Sequence, residues 1–176
     1  MRFVESELPG VFLIEPEPHV DERGMFMRTW CAREFAEHGI AMTVRQCSVS
    51  VNHRRGTLRG MHYQAPPHAE ARLVRCTAGA IFDVIVDLRP VSKSYCQWAG
   101  VELTQENRKM AFVPEGCAHG FLTLVDNVEV FYQMSEFYSA ENARGVRWND
   151  PGFSIKWPGE VAVISERDRN YPDFHR

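Results

Sequence analysis

The sequence predicts an all-β domain, a sandwich or barrel of antiparallel strands, on three observations. Apolar segments of strand length recur along the chain. Gly, Pro, Asn and Asp punctuate them, and only one stretch reads well as helix. The strand-like segments are residues 11–14, 73–76, 80–88, 97–101, 110–113, 120–124 and 128–134. Within 81–87, Asp83 and Asp87 share one face, because strand side chains alternate with a period of two. The helical stretch is 32–38, with Gly39 as its stop signal. The polar run 165–172 ends in proline and reads as a short helical turn or a loop.

The 176 residues suit one domain, 1–176, with enough chain to bury a core. Hydrophobic residues make up 44% and charged residues 24%, the balance of a soluble globular protein. A formal net charge of -3 gives no support to a nucleic-acid or anionic-membrane binder. No apolar run approaches the roughly 20 residues that span a bilayer. The opening Met1-Arg2-Phe3-Val4-Glu5-Ser6 lacks the apolar stretch and cleavage site of a secretory signal, so a cytoplasmic protein is expected. The 5 cysteines, Cys31, Cys47, Cys76, Cys96 and Cys117, are odd in number and widely spaced. They form no C-x-x-C pair, which argues against a disulfide framework or zinc ribbon, and most read as small buried residues.

Two stretches hold more glycine and polar residues than a structural strand needs. In Gly56-Thr57-Leu58-Arg59-Gly60-Met61-His62-Tyr63-Gln64, an extended backbone sends Met61 and Tyr63 to one side and Gly60, His62 and Gln64 to the other. In Pro114-Glu115-Gly116-Cys117-Ala118-His119-Gly120-Phe121, Pro and Gly make a turn and His119 is expected to start a strand. Arginines gather in the first half of the chain. Surface charge explains them least well at Arg59, between Leu58 and Gly60, and at Arg72, which opens an apolar strand.

Together these residues resemble the dTDP-4-dehydrorhamnose 3,5-epimerase family. The resemblance is collinear over nearly the whole chain. It runs from Asp21-Glu22-Arg23-Gly24 and Phe26 through residues 56–64, Leu73-Val74-Arg75 and Gly79 to Asp83-Val84. Val86-Asp87-Leu88-Arg89, Ser92, Trp98, Pro114-Glu115-Gly116 and Ala118-His119-Gly120-Phe121 continue it. Trp148-Asn149-Asp150-Pro151, Trp157-Pro158, Ser165 and Asp168 close it. It implies a cupin-like antiparallel jelly roll with a few short helices and a pocket inside the barrel. A homodimer, a nucleotide-sugar substrate, no cofactor and no metal are also implied.

The implied reaction needs little machinery. A ketone at C4 acidifies the hydrogens on C3 and C5, so the site needs a base, an oxyanion stabiliser and an acid on the far face. By resemblance His62 is the base, Asp168 fixes its tautomer, and Tyr132 reprotonates the enolate. Tyr138 and His119 match residues near the sugar. Arg59 and Arg23 match residues on the diphosphate. Gln46 and Ser48 lie near the nucleotide, and Phe26 packs near the base, across a dimer interface in one version.

The chain also departs from the family. Arg72 stands where a lysine is usual, and Arg28 where glutamate is common. Ser48 replaces asparagine, and the segment 46–56 is one residue longer. Arg72 keeps the positive charge but is longer and planar, so it would serve the C4 oxygen or turn to the phosphates. The expected activity is epimerisation at C3, C5 or both of a nucleotide-linked 4-keto-6-deoxy sugar. A monoepimerase, or an epimerase of another nucleotide sugar, stays open beside it. Two rivals come from other classes. A metal-dependent cupin is suggested by Pro114-x-Gly116-x-x-His119, but Gln64 breaks the His-x-His half of that signature. A non-catalytic sugar-nucleotide binder would not need His62, Tyr132 and Asp168 together.

Overall fold

The computed structural model describes residues 1–175. In chain order the elements are β1 (Arg2–Glu5), β2 (Phe12–Glu15), β3 (His19–Asp21), β4 (Gly24–Phe26), α1 (Ala32–Glu37), β5 (Gln46–Asn52), β6 (Thr57–Gln64) and β7 (Arg72–Ala78). There follow β8 (Ala80–Asp87), β9 (Trp98–Thr104), β10 (Met110–Val113), β11 (Cys117–Thr123), β12 (Val128–Met134), β13 (Ala143–Gly145), β14 (Val163–Ile164) and α2 (Glu166–Arg169). One sheet has the order β1-β2-β10-β7-β12-β5. The other runs β13-β6-β11-β8-β9, with β14 paired in parallel to β6. β3 and β4 form a separate hairpin.

The two larger sheets face one another as a jelly-roll sandwich, and the core follows from side-chain alternation. Val74, Ile81, Ile85, Phe121, Val128 and Val130 meet between them. The outer face of the first sheet is closed by Phe35 of α1 against Ile14, Leu73 and Met110. The outer face of the second is closed by Val146 and Phe153 against Met61, Val84 and Val86. With both faces covered, β8 is apolar at nearly every position except Asp83 and Asp87.

The expected strands and the helix appear with shifted ends. α1 spans Ala32–Glu37, and Gly39 at φ 77 follows it. The expectation that His119 starts a strand needs correction. β11 begins at Cys117, because Pro114-Glu115-Gly116 alone completes the turn, with Gly116 at φ 79. Met61 and Tyr63 do go to one side, the outer cluster, leaving His62 for the interior. Cys76, Cys96 and Cys117 are buried, whereas Cys47 is exposed. No helix among the described residues is long and apolar enough to cross a membrane.

Candidate active site

At one end of the sandwich the sheets enclose a cavity of about 770 Å³. Strand registers decide what enters it. Gln46, Met134 and Arg72 are direct neighbours across β5, β12 and β7, and so are Ser48, Tyr132 and Val74 two residues along. All share the inner face of the first sheet. On the opposing sheet, His62 of β6 is registered against His119 of β11.

β6 and β11 approach closely because both carry glycine there. A Cβ on Gly60, whose φ is 142, would lie 2.5 Å from the Gly120 Cα. The register of this pair shifts between His119 and Phe121. Such an irregularity bends a strand and re-aims the side chains beside it.

His62 and Asp168 lie 106 positions apart, and the chain's last turn joins them. β14 pairs with Thr57 and Leu58 of β6, and Ser165 then caps α2 by accepting from the Asp168 N–H at 3.1 Å. Asp168 is thereby buried beside β6. Its Oδ1 lies 2.7 Å from His62 Nε2, and its Oδ2 accepts from the Gly60 N–H at 3.2 Å. Burial alone would raise the Asp168 pKa. The hydrogen bond and charge of His62, with the Gly60 N–H and the Ser165 hydroxyl, outweigh it and hold the carboxyl below the usual carboxylate range. An ionised Asp168 requires the His62 hydrogen on Nε2, which leaves the Nδ1 lone pair for substrate. The His62 side chain keeps 36% of its surface exposed, open to the cavity.

A second dyad lies deeper. His119 Nε2 is 2.6 Å from Asp83 Oδ1, and both residues are buried. The His119 ring meets Tyr132 edge-on, with centroids 6.3 Å apart. Burial, with the nearby Asp83 charge, pushes the Tyr132 phenol well above its ordinary pKa, so it stays a donor. At the mouth, Arg59 Nε donates to Asn52 Oδ1 at 2.7 Å, while Arg167 lies over the Tyr171 ring. The backbone N–H of Tyr138 donates to Gln46 Oε1 at 3.1 Å, which ties the last strand of one sheet edge to the rim.

Nine residues singled out in the sequence therefore line one cavity: Gln46, Ser48, Arg59, His62, Arg72, His119, Tyr132, Tyr138 and Asp168. Arg23, Phe26 and Arg28 do not. Arg23 pairs with Asp21 on the exposed hairpin, Phe26 is 75% exposed, and Arg28 pairs with Glu34 at 3.1 Å. The sequence reading missed Glu70 and Arg167, which also line the cavity, and missed Asp83 as the partner of His119. In the structure Asp83 is registered against Phe121, two residues from His119 on β11, a pairing that no local sequence pattern reports. The amide of Gln64 is engaged by His68 O, Phe137 O and the Ser139 N–H, so it braces the rim.

The arrangement can hold a proton acceptor and a proton donor on opposite walls, with cations at the mouth. Comparison with known proteins agrees with that chemistry. A model of the dTDP-4-dehydrorhamnose 3,5-epimerase family matches residues 5–176. A relative of that name from Methanothermobacter thermautotrophicus is 45% identical over 173 residues, covering 97% of this chain and 92% of the relative. The crystal structure of the Bacillus anthracis dTDP-4-dehydrorhamnose 3,5-epimerase with TDP and PPi bound superposes with a TM-score of 0.95 at 38% identity, over 98% of this chain and 99% of that one. ChmJ, a 3'-monoepimerase from Streptomyces bikiniensis solved with dTDP-quinovose, gives 0.87 at 31% identity, over 96% and 85%. With the fold, the cavity and near full-length similarity in agreement, the chain belongs to the dTDP-4-dehydrorhamnose 3,5-epimerase family.

Proposed function

We propose that the chain, acting as one domain over residues 1–176, epimerises C3 and C5 of a dTDP-linked 4-keto-6-deoxy sugar. The observation that carries this reading is the His62–Asp168 dyad on one wall of the cavity with Tyr132 on the other. His62 Nδ1 takes the proton next to the ketone, and the bond's electron pair moves into the C4 carbonyl as an enolate. Tyr132 O–H then gives its proton to the opposite face of the carbon. The imidazolium and the phenolate return to their starting states by proton exchange with solvent. Arg59 and Arg167 sit where the diphosphate would enter, and Gln46, Ser48 and Tyr138 lie toward the nucleotide. His119, held by Asp83, supports the sugar and Tyr132.

The same reading includes a homodimer in the cytoplasm. Val20, Met25 and Phe26 leave the β3–β4 hairpin with an apolar surface, exposed at 71%, 48% and 75%. An exposed apolar group of this kind marks a contact surface. Covered by a second copy, it would bring Arg23, Phe26 and Arg28 to the partner's cavity.

Incubation with dTDP-4-keto-6-deoxyglucose in D₂O tests the reaction. Label at both C3 and C5 is expected. Label at one carbon makes the enzyme a monoepimerase, and no exchange with any nucleotide-linked 4-keto sugar sinks the reading.

A further inference from the structure

Beside the two histidine–aspartate dyads, the cavity holds a buried Glu70–Arg72 ion pair with no part in the two proton transfers. Glu70 and Arg72 side chains are only 5% and 13% exposed, and both line the cavity. Glu70 Oε1 accepts from Arg72 Nε at 2.8 Å and from Arg72 Nη2. Arg72 Nη1 donates to the backbone oxygen of His62 at 3.2 Å. The segment holding Glu70 is itself pinned, since the Ala71 N–H donates to Ser135 Oγ at 2.7 Å and the Ser135 N–H to Ala71 O at 3.0 Å.

A guanidinium has five N–H groups in a fixed plane. Three of those on Arg72 are committed, and one on each terminal nitrogen remains. Arg72 is registered with Met134, two residues from Tyr132 on the same face, so the uncommitted groups lie on the wall that carries the proton donor. The carboxylate fixes the plane of a side chain that would otherwise sample many rotamers.

We propose that Glu70 is a positioning residue for the epimerisation: it holds the Arg72 guanidinium so that its two uncommitted N–H groups meet the C4 oxygen as the enolate forms. This rests on the epimerase reading. It predicts a loss in the chemical step rather than in binding. A misplaced catalytic group costs about 10²-fold, so E70A should lose about that much in kcat while KM stays within about threefold. E70Q, whose amide oxygen still accepts from Arg72 Nε, should fall between E70A and the wild type.

Chemical rescue separates positioning from a merely structural pair. Solvent-deuterium exchange would be followed in R72A and in the double variant E70A/R72A, each titrated with methylguanidinium, with dTDP affinity and thermal melting measured alongside. Rescue of R72A and none of the double variant is the expected result. Equal rescue of both, or an E70A kcat equal to the wild type, overturns the role of Glu70 while the epimerase reading stands. No exchange by the wild type overturns both.

Discussion

His62 and Tyr132 divide the proposed reaction between an acceptor and a donor, and each can be silenced separately. In Tyr132→Phe the base and its Asp168 partner remain, so a proton can leave and return on the same face. The expected outcome is solvent deuterium entering the substrate without formation of the epimer, read by NMR. Epimer formation at the wild-type rate would remove Tyr132 from the mechanism. The phenol also sets a pH expectation. Its pKa is raised by burial and by Asp83, so the neutral donor persists above the ordinary tyrosine value of about 10. An alkaline loss of kcat centred near 10 would contradict this. Asp168→Asn removes the charge that fixes the imidazole hydrogen on Nε2. General base catalysis contributes about 10² to 10⁴-fold, and most of it should vanish from kcat with dTDP affinity unchanged by calorimetry.

β8 shows how one element serves both the site and the frame. Asp83 holds His119, and Asp87, four residues on, ties down the following loop. Asp87 is fully buried and accepts from Arg89 Nε at 2.8 Å, from Ser92 Oγ at 2.6 Å and from Ser94 Oγ at 2.6 Å. Arg89 in turn donates to Pro9 O at 2.8 Å. Burial would raise the Asp87 pKa, but these donors hold it far below the usual range. A depressed carboxyl contributes stability that is complete above its unfolded pKa, about 3.9, and is lost as pH falls toward the folded value. Asp87→Asn should therefore cost about 2–4 kcal/mol at pH 7, with the gap from wild type narrowing below about pH 4. Urea melts at the two pH values check it, and a gap that widens in acid would refute the assignment. Such strands were legible where apolar residues dominate, as in β8, β10 and β12. β5 was not, although Cys47, Val49 and Val51 alternate with Gln46, Ser48 and Ser50, because its polar face lines the cavity and its apolar face is exposed, the reverse of a core strand. The three-residue strands β3 and β4 are too short to show alternation. His62 and Asp168 were joined only through family resemblance, since no local pattern reports a contact across 106 positions. Glu70 had no such help and reads as a surface acid until burial beside Arg72 reveals it.

The fold leaves Arg23, Phe26 and Arg28 outside the cavity that holds the other candidate residues. The β3–β4 hairpin sends its aromatic and apolar side chains to solvent, where burial of Phe26 alone would contribute about 1.5–3 kcal/mol. If the hairpin completes the site of a second copy, each catalytic site takes His62 from one chain and Phe26 from the other. That arrangement has a consequence no single-chain site shares. Phe26→Ala should raise KM, and His62→Ala should abolish exchange, each as a homodimer. After the two are mixed and allowed to exchange subunits, a heterodimer contains one site with His62 from the first variant and Phe26 from the second, both native. Activity at low substrate should then rise above the average of the separate variants. Sedimentation of the wild type should give twice the chain mass. A monomer, or mixing without gain despite subunit exchange, would leave the hairpin without a role in catalysis.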